Sequence, residues 1–417
     1  MSDLDFSLPF THAPAIDRDP DAYVAAHDAF DESISDALLT PRERAVRAAM
    51  RRVAASDVAP RAAAIDRTHD FAHDSYQAVA AAGLVGLVFP EHLGGTGDTH
   101  VAYAVAMEEL AAACASTSLI YMTQTHAAYP ILSAGSAELA ARYIPHLLDG
   151  SRYGSMAITE PDAGSDVSSI RTRATLAPNA DAYVLSGSKT FITTGDRADV
   201  IVCFVTTDPR AGRAGVTAFV VEGGQDGVSA GQPFAKMGMH GSSTAEIFLS
   251  EVRVPTANRL GDEGSGWAIV MASVTKSRIS AAAQGVGIAR NAYVRALIAL
   301  HGIHGPRLPA DIAFVLAGLR GDILQARLLL LATAREVDDA EHPSVAHIGI
   351  MKQVCTDAGW NVSVKAAALL GAYGDFAELG VERGLRDAKV TQIYDGTNEV
   401  QRLLIGRDTE RRLREVV

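Results

Sequence analysis

The chain has few of the features that mark secreted, metal-binding or membrane-spanning proteins. Its cysteines are Cys114, Cys203 and Cys355, and their spacing matches neither a disulfide framework nor a zinc site. A reducing compartment fits this pattern, so we expect a cytoplasmic protein without a metal. Acidic Asp3 and Asp5 stand where a signal peptide carries basic residues. No run approaches the roughly 18 consecutive apolar residues of a membrane span, so we expect no membrane association.

Positive charge is also scarce. The 37 Lys and Arg residues are outnumbered by 49 Asp and Glu residues, which gives a net charge of −12. This balance argues against nucleic acid as the main partner, because phosphate backbones are bound through an excess of basic residues. It does not exclude anionic ligands, since helix N-termini and a few arginines can bind phosphate. With 417 residues, 48% of them apolar, the chain is long enough for two or three globular domains.

The period of the hydrophobic pattern changes twice along the chain. Thr40, Pro41 and Glu43 form a capping-box pattern that opens a series of helical segments. A period of 2 follows, and helical periods then return. We predict an α+β fold with an N-terminal helical domain, a middle antiparallel β-domain and a C-terminal helical bundle. The predicted boundaries are 1–40 for an extension that is ordered in part at most, 41–155, 156–262 and 263–417. The predicted strands are Thr172–Leu176, Tyr183–Leu185, Val200–Val205, Thr217–Val221 and Glu246–Val254.

Near the C-terminus, turn-forming residues interrupt two helical patterns. The interruption runs from Tyr394 through Asp395 and Gly396 to Asn398. A carboxylate on such a break, beside a glycine that lets another group approach, is well placed to act as a base. Asp is also among the best N-caps. These residues alone leave open whether Asp395 is a base or the cap of the next helix.

Two longer motifs resemble a known family. The stretch from Gln392 to Arg402, reading QIYDGTNEVQR, closely resembles the C-terminal signature of the acyl-CoA dehydrogenases. In that family its fourth residue is usually Glu, the base that removes the substrate α-proton, whereas this chain has Asp395. The stretch AITEPDAGSD, which begins at Ala157, resembles the second signature of the family nearly residue for residue. The resemblance covers about residues 41 to 417 and implies FAD-dependent α,β-desaturation of an acyl thioester.

The resemblance also implies which residues contact FAD. Ile158 and Thr159 would meet the flavin pyrimidine edge, and Ser165 would help to hold the pyrophosphate. Phe191 matches an aromatic residue that packs on the flavin, and Thr193 matches a residue near flavin N5. Without the resemblance, a plain turn and a core aromatic at a strand end explain these stretches as well. The predicted FAD-binding residues are Ile158, Thr159, Ser165, Phe191, Thr193, Gly371 and Thr397.

The resemblance places Arg278 near the active site. Some family members carry their catalytic Glu just before this Arg, where the chain has Ser277, which cannot serve as a base without help. The role of base therefore falls on Asp395. Replacing Glu by Asp retracts the carboxylate by roughly 1.5 Å, one C–C bond. Because a misplacement of about 1 Å can cost on the order of 10²-fold in rate, the backbone, the substrate position or the reaction itself must differ.

Two contacts that family members make to the FAD of a neighbouring subunit are missing. An Arg-x-x-Phe-Gly motif is absent from 299–309, and a Gln-x-x-Gly-Gly motif is replaced by Ala368-Leu-Leu-Gly371-Ala372. His301 or Arg307 could replace one contact. A bidentate Arg–phosphate contact is strong, and neither His nor Ala matches it. We therefore predict looser FAD binding or a rearranged dimer seam.

Three functional readings follow. In the first, Asp395 takes the α-proton while a hydride passes to flavin N5. The substrate is then an acyl-CoA or an acyl-carrier protein, and electrons leave through an electron-transfer flavoprotein. The protein is expected to be a homotetramer or homodimer. In the second, the same fold runs nitroalkane oxidation or a redox-neutral elimination, because the nitroalkane oxidase branch also has Asp at this position. In the third, the chain has lost catalytic activity and binds a ligand or partner through residues 1–38. The retained flavin-facing residues argue against this third reading.

Overall fold

The computed structural model describes residues 16–31 and 33–416. Helices come first, an eight-stranded sheet follows, and helices return, so the predicted three-part fold is confirmed. The predicted extension lies partly outside the described residues, which begin at Ile16. The helices before the sheet are α1 Pro20–Asp28, α2 Ser33–Asp36, α3 Pro41–Val53, α4 Ala59–Thr68, α5 His73–Ala81, α6 His100–Ala113, α7 Ala115–Ala134 and α8 Ala137–Leu148.

The capping box at the start of α3 forms as its sequence predicts. The Thr40 hydroxyl accepts a hydrogen bond from the Glu43 backbone N–H at 3.2 Å, and the Glu43 carboxylate accepts one from the Thr40 N–H at 2.8 Å. Pro41 occupies the first turn, where its missing N–H costs no helix hydrogen bond. The reciprocal pair satisfies two backbone donors that a helix N-terminus otherwise leaves free.

The sheet contains more strands than the hydrophobic pattern predicts. Its order is β6-β7-β3-β2-β4-β5-β8, and β1 pairs in parallel with β4, so its pairing is not wholly antiparallel. The strands β1, β6 and β8 were not predicted. The last two contain three and two residues, which is too short to show a period of 2. The strands are β1 Gly154–Ala157, β2 Arg173–Leu176, β3 Ala182–Thr193, β4 Val200–Thr206, β5 Val216–Glu222, β6 Val228–Ala230, β7 Thr244–Pro255 and β8 Arg259–Leu260.

The C-terminal helices surround one long central helix, α9. Glycines on α9 let its neighbours approach closely: a Cβ at Gly285 would lie 2.4 Å from the Cys355 carbonyl oxygen, and one at Gly287 would lie 2.3 Å from that of Glu108. No helix within the described ranges is long and apolar enough to span a bilayer. The helices are α9 Gly266–His304, α10 Ala310–Asp339, α11 Val345–Leu369, α12 Val381–Thr391 and α13 Asn398–Val416.

Helix α7 joins the sheet to the C-terminal bundle. On one side its Gln124 side chain accepts a hydrogen bond from the Gly154 N–H of β1 at 2.7 Å. On the other side its Ser118 hydroxyl accepts one from the Gln284 side chain of α9 at 2.9 Å. These contacts place the edge of the sheet and the interior of the bundle on opposite sides of one helix.

Candidate active site

The turn between α12 and α13 presents a carboxylate with one buried oxygen that makes no hydrogen bond in the described structure. Asp395 has a φ of 56° and Gly396 a φ of 85°, in the left-handed region that Asp tolerates better than most residues. The cap of α13 is Thr397, whose hydroxyl accepts a hydrogen bond from the Val400 N–H at 3.2 Å. The Asp395 Oδ2 atom is buried and has no hydrogen-bond partner among the described residues. A buried oxygen of this kind needs a partner or a function.

Two side chains hold the backbone of this turn. The Arg278 Nε atom of α9 donates a hydrogen bond to the Asp395 carbonyl oxygen at 3.3 Å. The Gln401 amide of α13 donates one to the Gly396 carbonyl oxygen at 2.9 Å. The structure therefore brings Arg278, which the resemblance placed near the active site, into contact with Asp395 through the backbone of that residue.

Two cations lie near the Asp395 carboxylate. Burial lowers the pKa of Arg278, and it lowers the pKa of Lys352 to about 8, while the Asp395 carboxylate favours the charged form of both. Lys352 projects from α11 and donates a hydrogen bond to the Asn398 side chain at 2.9 Å. The site therefore combines one free carboxylate oxygen with two positive charges.

Ser277 offers no second base. Its side chain is buried, and its hydroxyl donates a hydrogen bond to the Val274 carbonyl oxygen of the same helix at 3.0 Å. This bond fixes the hydroxyl within α9.

Phe191 is a bulky residue held in a strained, exposed position. Its φ is 57°, and it lies where the β3–β7 register shifts between Lys189 and Ile192. Such irregularities re-aim side chains near functional sites. The Phe191 side chain is 66% exposed, and its ring lies 5.3 Å from the ring of Phe234. Phe191 is therefore not a core aromatic, and its exposed ring fits the face of a planar cofactor.

A buried ion pair fixes the backbone of Ile158, one of the residues that the resemblance places at the flavin edge. The fully buried Lys189 ammonium donates to the Ile158 carbonyl oxygen at 3.0 Å and to the Glu160 carboxylate at 2.7 Å. The Thr190 N–H donates to the Thr159 carbonyl oxygen at 2.9 Å. These bonds hold Ile158 and Thr159, which follow β1, beside the end of β3. The two segments together form what we call the β1–β3 edge.

The neighbouring hydroxyl groups fit a polar ligand at this edge. The Thr193 carbonyl oxygen accepts a hydrogen bond from Ser155 at 3.0 Å. The buried Thr194 hydroxyl has no hydrogen-bond partner within residues 16–31 and 33–416. Together with the exposed ring of Phe191, this edge fits the flavin that the resemblance implies. Ser165 lies in an exposed loop beyond it.

Two predicted FAD-binding residues lie elsewhere. Thr397 caps α13, as described above. Gly371 follows the end of α11, whereas the Asp395 region contacts the first half of that helix at Lys352 and Thr356. At 1.5 Å per residue, Gly371 lies about 20 Å from Thr356 along the helix axis. Gly371 therefore lies well apart from the part of α11 that contacts the Asp395 region.

Several polar residues around Asp395 could not be recognised from the sequence. Tyr103 of α6 bonds Ser280 of α9, with 2.9 Å between the oxygens, and burial raises the pKa of Tyr103 to about 12. His126, Gln284 and Lys352 belong to α7, α9 and α11. Their side chains converge only through helix packing, and no spacing within one segment reveals them.

The exposed end of α9 gives a prediction on cofactor retention. His301 and Arg307 flank the helix end at His304, and both are exposed. Because the missing Arg would have made a strong bidentate contact, we expect FAD to be lost on dialysis at low micromolar protein. The absorbance ratio of flavin to protein before and after dialysis measures this loss. Stoichiometric FAD after prolonged dialysis would contradict the prediction.

Three sequence models match consecutive parts of the chain. They describe the N-terminal, middle and C-terminal domains of acyl-CoA dehydrogenases, and they match residues 40–151, 155–252 and 264–409. The resemblance found in the two motifs is thereby confirmed.

The matches to individual relatives cover almost the whole length of each relative. Cyclohex-1-ene-1-carbonyl-CoA dehydrogenase of Geobacter metallireducens is 37% identical over 374 residues, which cover 88% of this chain and 98% of the relative. An acyl-CoA dehydrogenase of Bacillus subtilis is 37% identical over 378 residues, with the same coverage. The solved structure of butyryl-CoA dehydrogenase from Megasphaera elsdenii matches with a TM-score of 0.85 and 33% identity, covering 89% of this chain and 98% of that one. The chain therefore belongs to the acyl-CoA dehydrogenase family of FAD-dependent oxidoreductases.

Proposed function

We propose that this protein desaturates an acyl-CoA thioester between Cα and Cβ, with Asp395 as the base. The observation that carries the proposal is the buried Asp395 Oδ2 atom, which has no partner in the part of the chain that the structure describes. A general base must reach the proton that it removes, and a carboxylate engaged elsewhere could not. The two nearby cations, Arg278 and Lys352, support a site where negative charge develops.

In the proposed reaction the Cα–H bond breaks and its proton passes to Asp395. The Cβ–H bond breaks with both of its electrons, and a double bond forms between Cα and Cβ. When bound, FAD supplies the acceptor of this hydride at N5. The Asp395 backbone N–H would polarise the thioester carbonyl, and the positive charge of Arg278 would stabilise its oxygen as negative charge develops.

We assign the FAD contacts to the edge between β1 and β3. Ile158, Thr159 and Thr193 would line the flavin, Phe191 would cover its face, and Ser165 would reach the pyrophosphate. The strained backbone and exposed ring of Phe191 support this assignment, because strain of this kind persists at functional sites and most of the ring surface is open to a ligand.

We further propose the partners of the reaction. Electrons would leave through an electron-transfer flavoprotein. The chain would form a homotetramer or homodimer in which the stretch around Gly371 faces a neighbouring subunit. The family assignment favours CoA over an acyl-carrier protein as the carrier of the acyl group.

Anaerobic mixing of the FAD-loaded protein with acyl-CoAs tests the function. The panel should contain butyryl-CoA and cyclohex-1-ene-1-carbonyl-CoA, which relatives are named for, together with longer straight chains. We expect at least one to bleach the flavin absorbance. Peroxide formation with nitroethane, without bleaching by any thioester, would instead favour the oxidase reading. No spectral change with any ligand would contradict both reactions.

A further inference from the structure

Among the titratable side chains near Asp395, His126 has a buried ring nitrogen, Nε2, that finds no partner among residues 16–31 and 33–416. Within the described ranges, Tyr103, His126, Arg278, Lys352 and Tyr394 all interact electrostatically with Asp395. All of them except His126 make hydrogen bonds within the protein. The partners are Ser280 for Tyr103, the Asp395 carbonyl oxygen for Arg278, Asn398 for Lys352 and Gln284 for Tyr394.

The His126 Nε2 atom is buried, and no hydrogen-bond partner for it exists in the described structure. An unsatisfied buried nitrogen is costly, so a group from outside the chain is expected to bond it. It does not bond the Asp395 Oδ2 atom, which is also buried and unpaired. The two atoms are therefore separated by a gap, and both belong to the surroundings of one site.

The face of α7 that carries His126 is turned toward α9. One turn after His126, the Tyr129 ring lies under the Lys276 ammonium of α9, at 4.3 Å from the ring centroid. Two turns before it, Ser118 bonds Gln284 of α9. Residues three, four and eight positions apart share one helix face. The His126 imidazole thus lies on the face of α7 that meets α9, the helix whose Arg278 contacts the backbone of Asp395.

We propose that the His126 Nε2 atom hydrogen-bonds an uncharged oxygen, a hydroxyl or keto group, on the acyl chain beyond Cβ. This inference rests on the proposed function, since it places the acyl group between Asp395 and His126. Burial lowers the pKa of His126, although the Asp395 carboxylate opposes the shift, so the imidazole is neutral at pH 7. A neutral imidazole presents one donor and one acceptor, and a hydroxyl can complement either tautomer. A carboxylate would face the negative charge of Asp395 without a cationic imidazole to receive it.

Binding to the Asp395→Asn variant tests the proposal independently of turnover. Calorimetric titration of the FAD-loaded variant should compare straight-chain acyl-CoAs of four to eight carbons with their ω-hydroxy counterparts. We expect one chain length at which the hydroxyl tightens binding at least about tenfold, since a site built to bond a hydroxyl discriminates against its loss.

Substitution of His126 distinguishes a specificity role from a structural one. The added change His126→Leu should remove the preference for the hydroxyl and leave binding of the unsubstituted chain equal or tighter. The change His126→Gln, which keeps a donor and an acceptor, should retain part of the preference. The same Leu substitution at His92, which is exposed, should alter neither the preference for the hydroxyl nor the affinity for the unsubstituted chain.

Two results would overturn the inference. The first is equal affinity for hydroxylated and unsubstituted chains at every length. The second is a loss of affinity for both kinds of chain, in the same proportion, in His126→Leu. Either result is compatible with bleaching of the flavin by unsubstituted acyl-CoAs, in which case the proposed function stands without this inference. If acyl-CoAs bind with the expected preference and the wild-type flavin is never bleached, the proposed function fails and the inference on binding stands.

Discussion

Replacing Asp395 by Asn should lower the rate of anaerobic flavin reduction by an acyl-CoA roughly 10²- to 10⁴-fold, the usual contribution of a general base. The amide has nearly the shape of the carboxylate but cannot accept the α-proton. FAD content should remain that of the wild type, because the proposed flavin contacts lie on the β1–β3 edge and Asp395 is held through its backbone carbonyl. Stopped-flow absorbance measures the reduction rate, and the ratio of flavin to protein absorbance measures FAD content.

The matched control is Glu399→Gln, four residues further on. It makes the same chemical change within the signature motif, but Glu399 is exposed in the first turn of α13. We expect a reduction rate close to that of the wild type. If Asp395→Asn also reduces its flavin at such a rate, Asp395 is not the base.

The largest effect on stability should come from Glu109→Gln. The Glu109 carboxylate is fully buried and accepts hydrogen bonds from Arg51 at 2.9 and 2.5 Å and from Arg290 at 2.9 and 2.6 Å. It thereby joins α3, α6 and α9. Removing one charge from a buried network leaves the others uncompensated, which costs about 3–5 kcal/mol of unfolding free energy. The denaturant midpoint of the change in circular dichroism measures this loss.

A surface carboxylate provides the comparison for this substitution. Glu415 pairs with Arg411 at 2.7 Å on an exposed part of α13. Exposed ion pairs contribute little, so Glu415→Gln should leave the midpoint unchanged. If the midpoint of Glu109→Gln also equals that of the wild type, the buried network does not stabilise the fold.

The stabilisation by Glu109 should also depend on pH in one direction. Burial favours the neutral carboxyl, but Arg290 and Arg51 outweigh it and hold the pKa of Glu109 well below its usual range. A lowered pKa in the folded state contributes stability that is complete above the unfolded value of about 4.3 and is lost as the pH falls below it. The difference between wild type and Glu109→Gln should therefore shrink in acid.

Features set by neighbouring residues were predictable from the sequence. The capping box at Thr40 and the change from a helical to a strand period act over a few residues, and they located α3 and the sheet. The short strand β1 was missed because it is recognised only by its pairing with β4, some 45 residues away. Parallel pairing of this kind leaves no local signal.

In the candidate site, too, features that depend on neighbouring residues were predictable and features that depend on packing were not. The family resemblance drew attention to Asp395 and Arg278, but it did not show that Thr397 rather than Asp395 caps α13, because that depends on the left-handed backbone at the turn. Tyr103 and His126 reach the site only through the packing of α6 and α7 on α9. The role proposed for His126 follows from a ring nitrogen that remains unpaired after packing, and one sequence does not contain that information.

The most direct test of the central claim is exchange of the substrate α-hydrogens with solvent. An acyl-CoA should be incubated anaerobically in D₂O with FAD-loaded wild type and with Asp395→Asn, and deuterium at Cα followed by NMR. If Asp395 is the base, deuterium should be incorporated at Cα in an enzyme-dependent manner with the wild type, and not above the spontaneous rate with the variant. Incorporation by Asp395→Asn at the wild-type rate would contradict it.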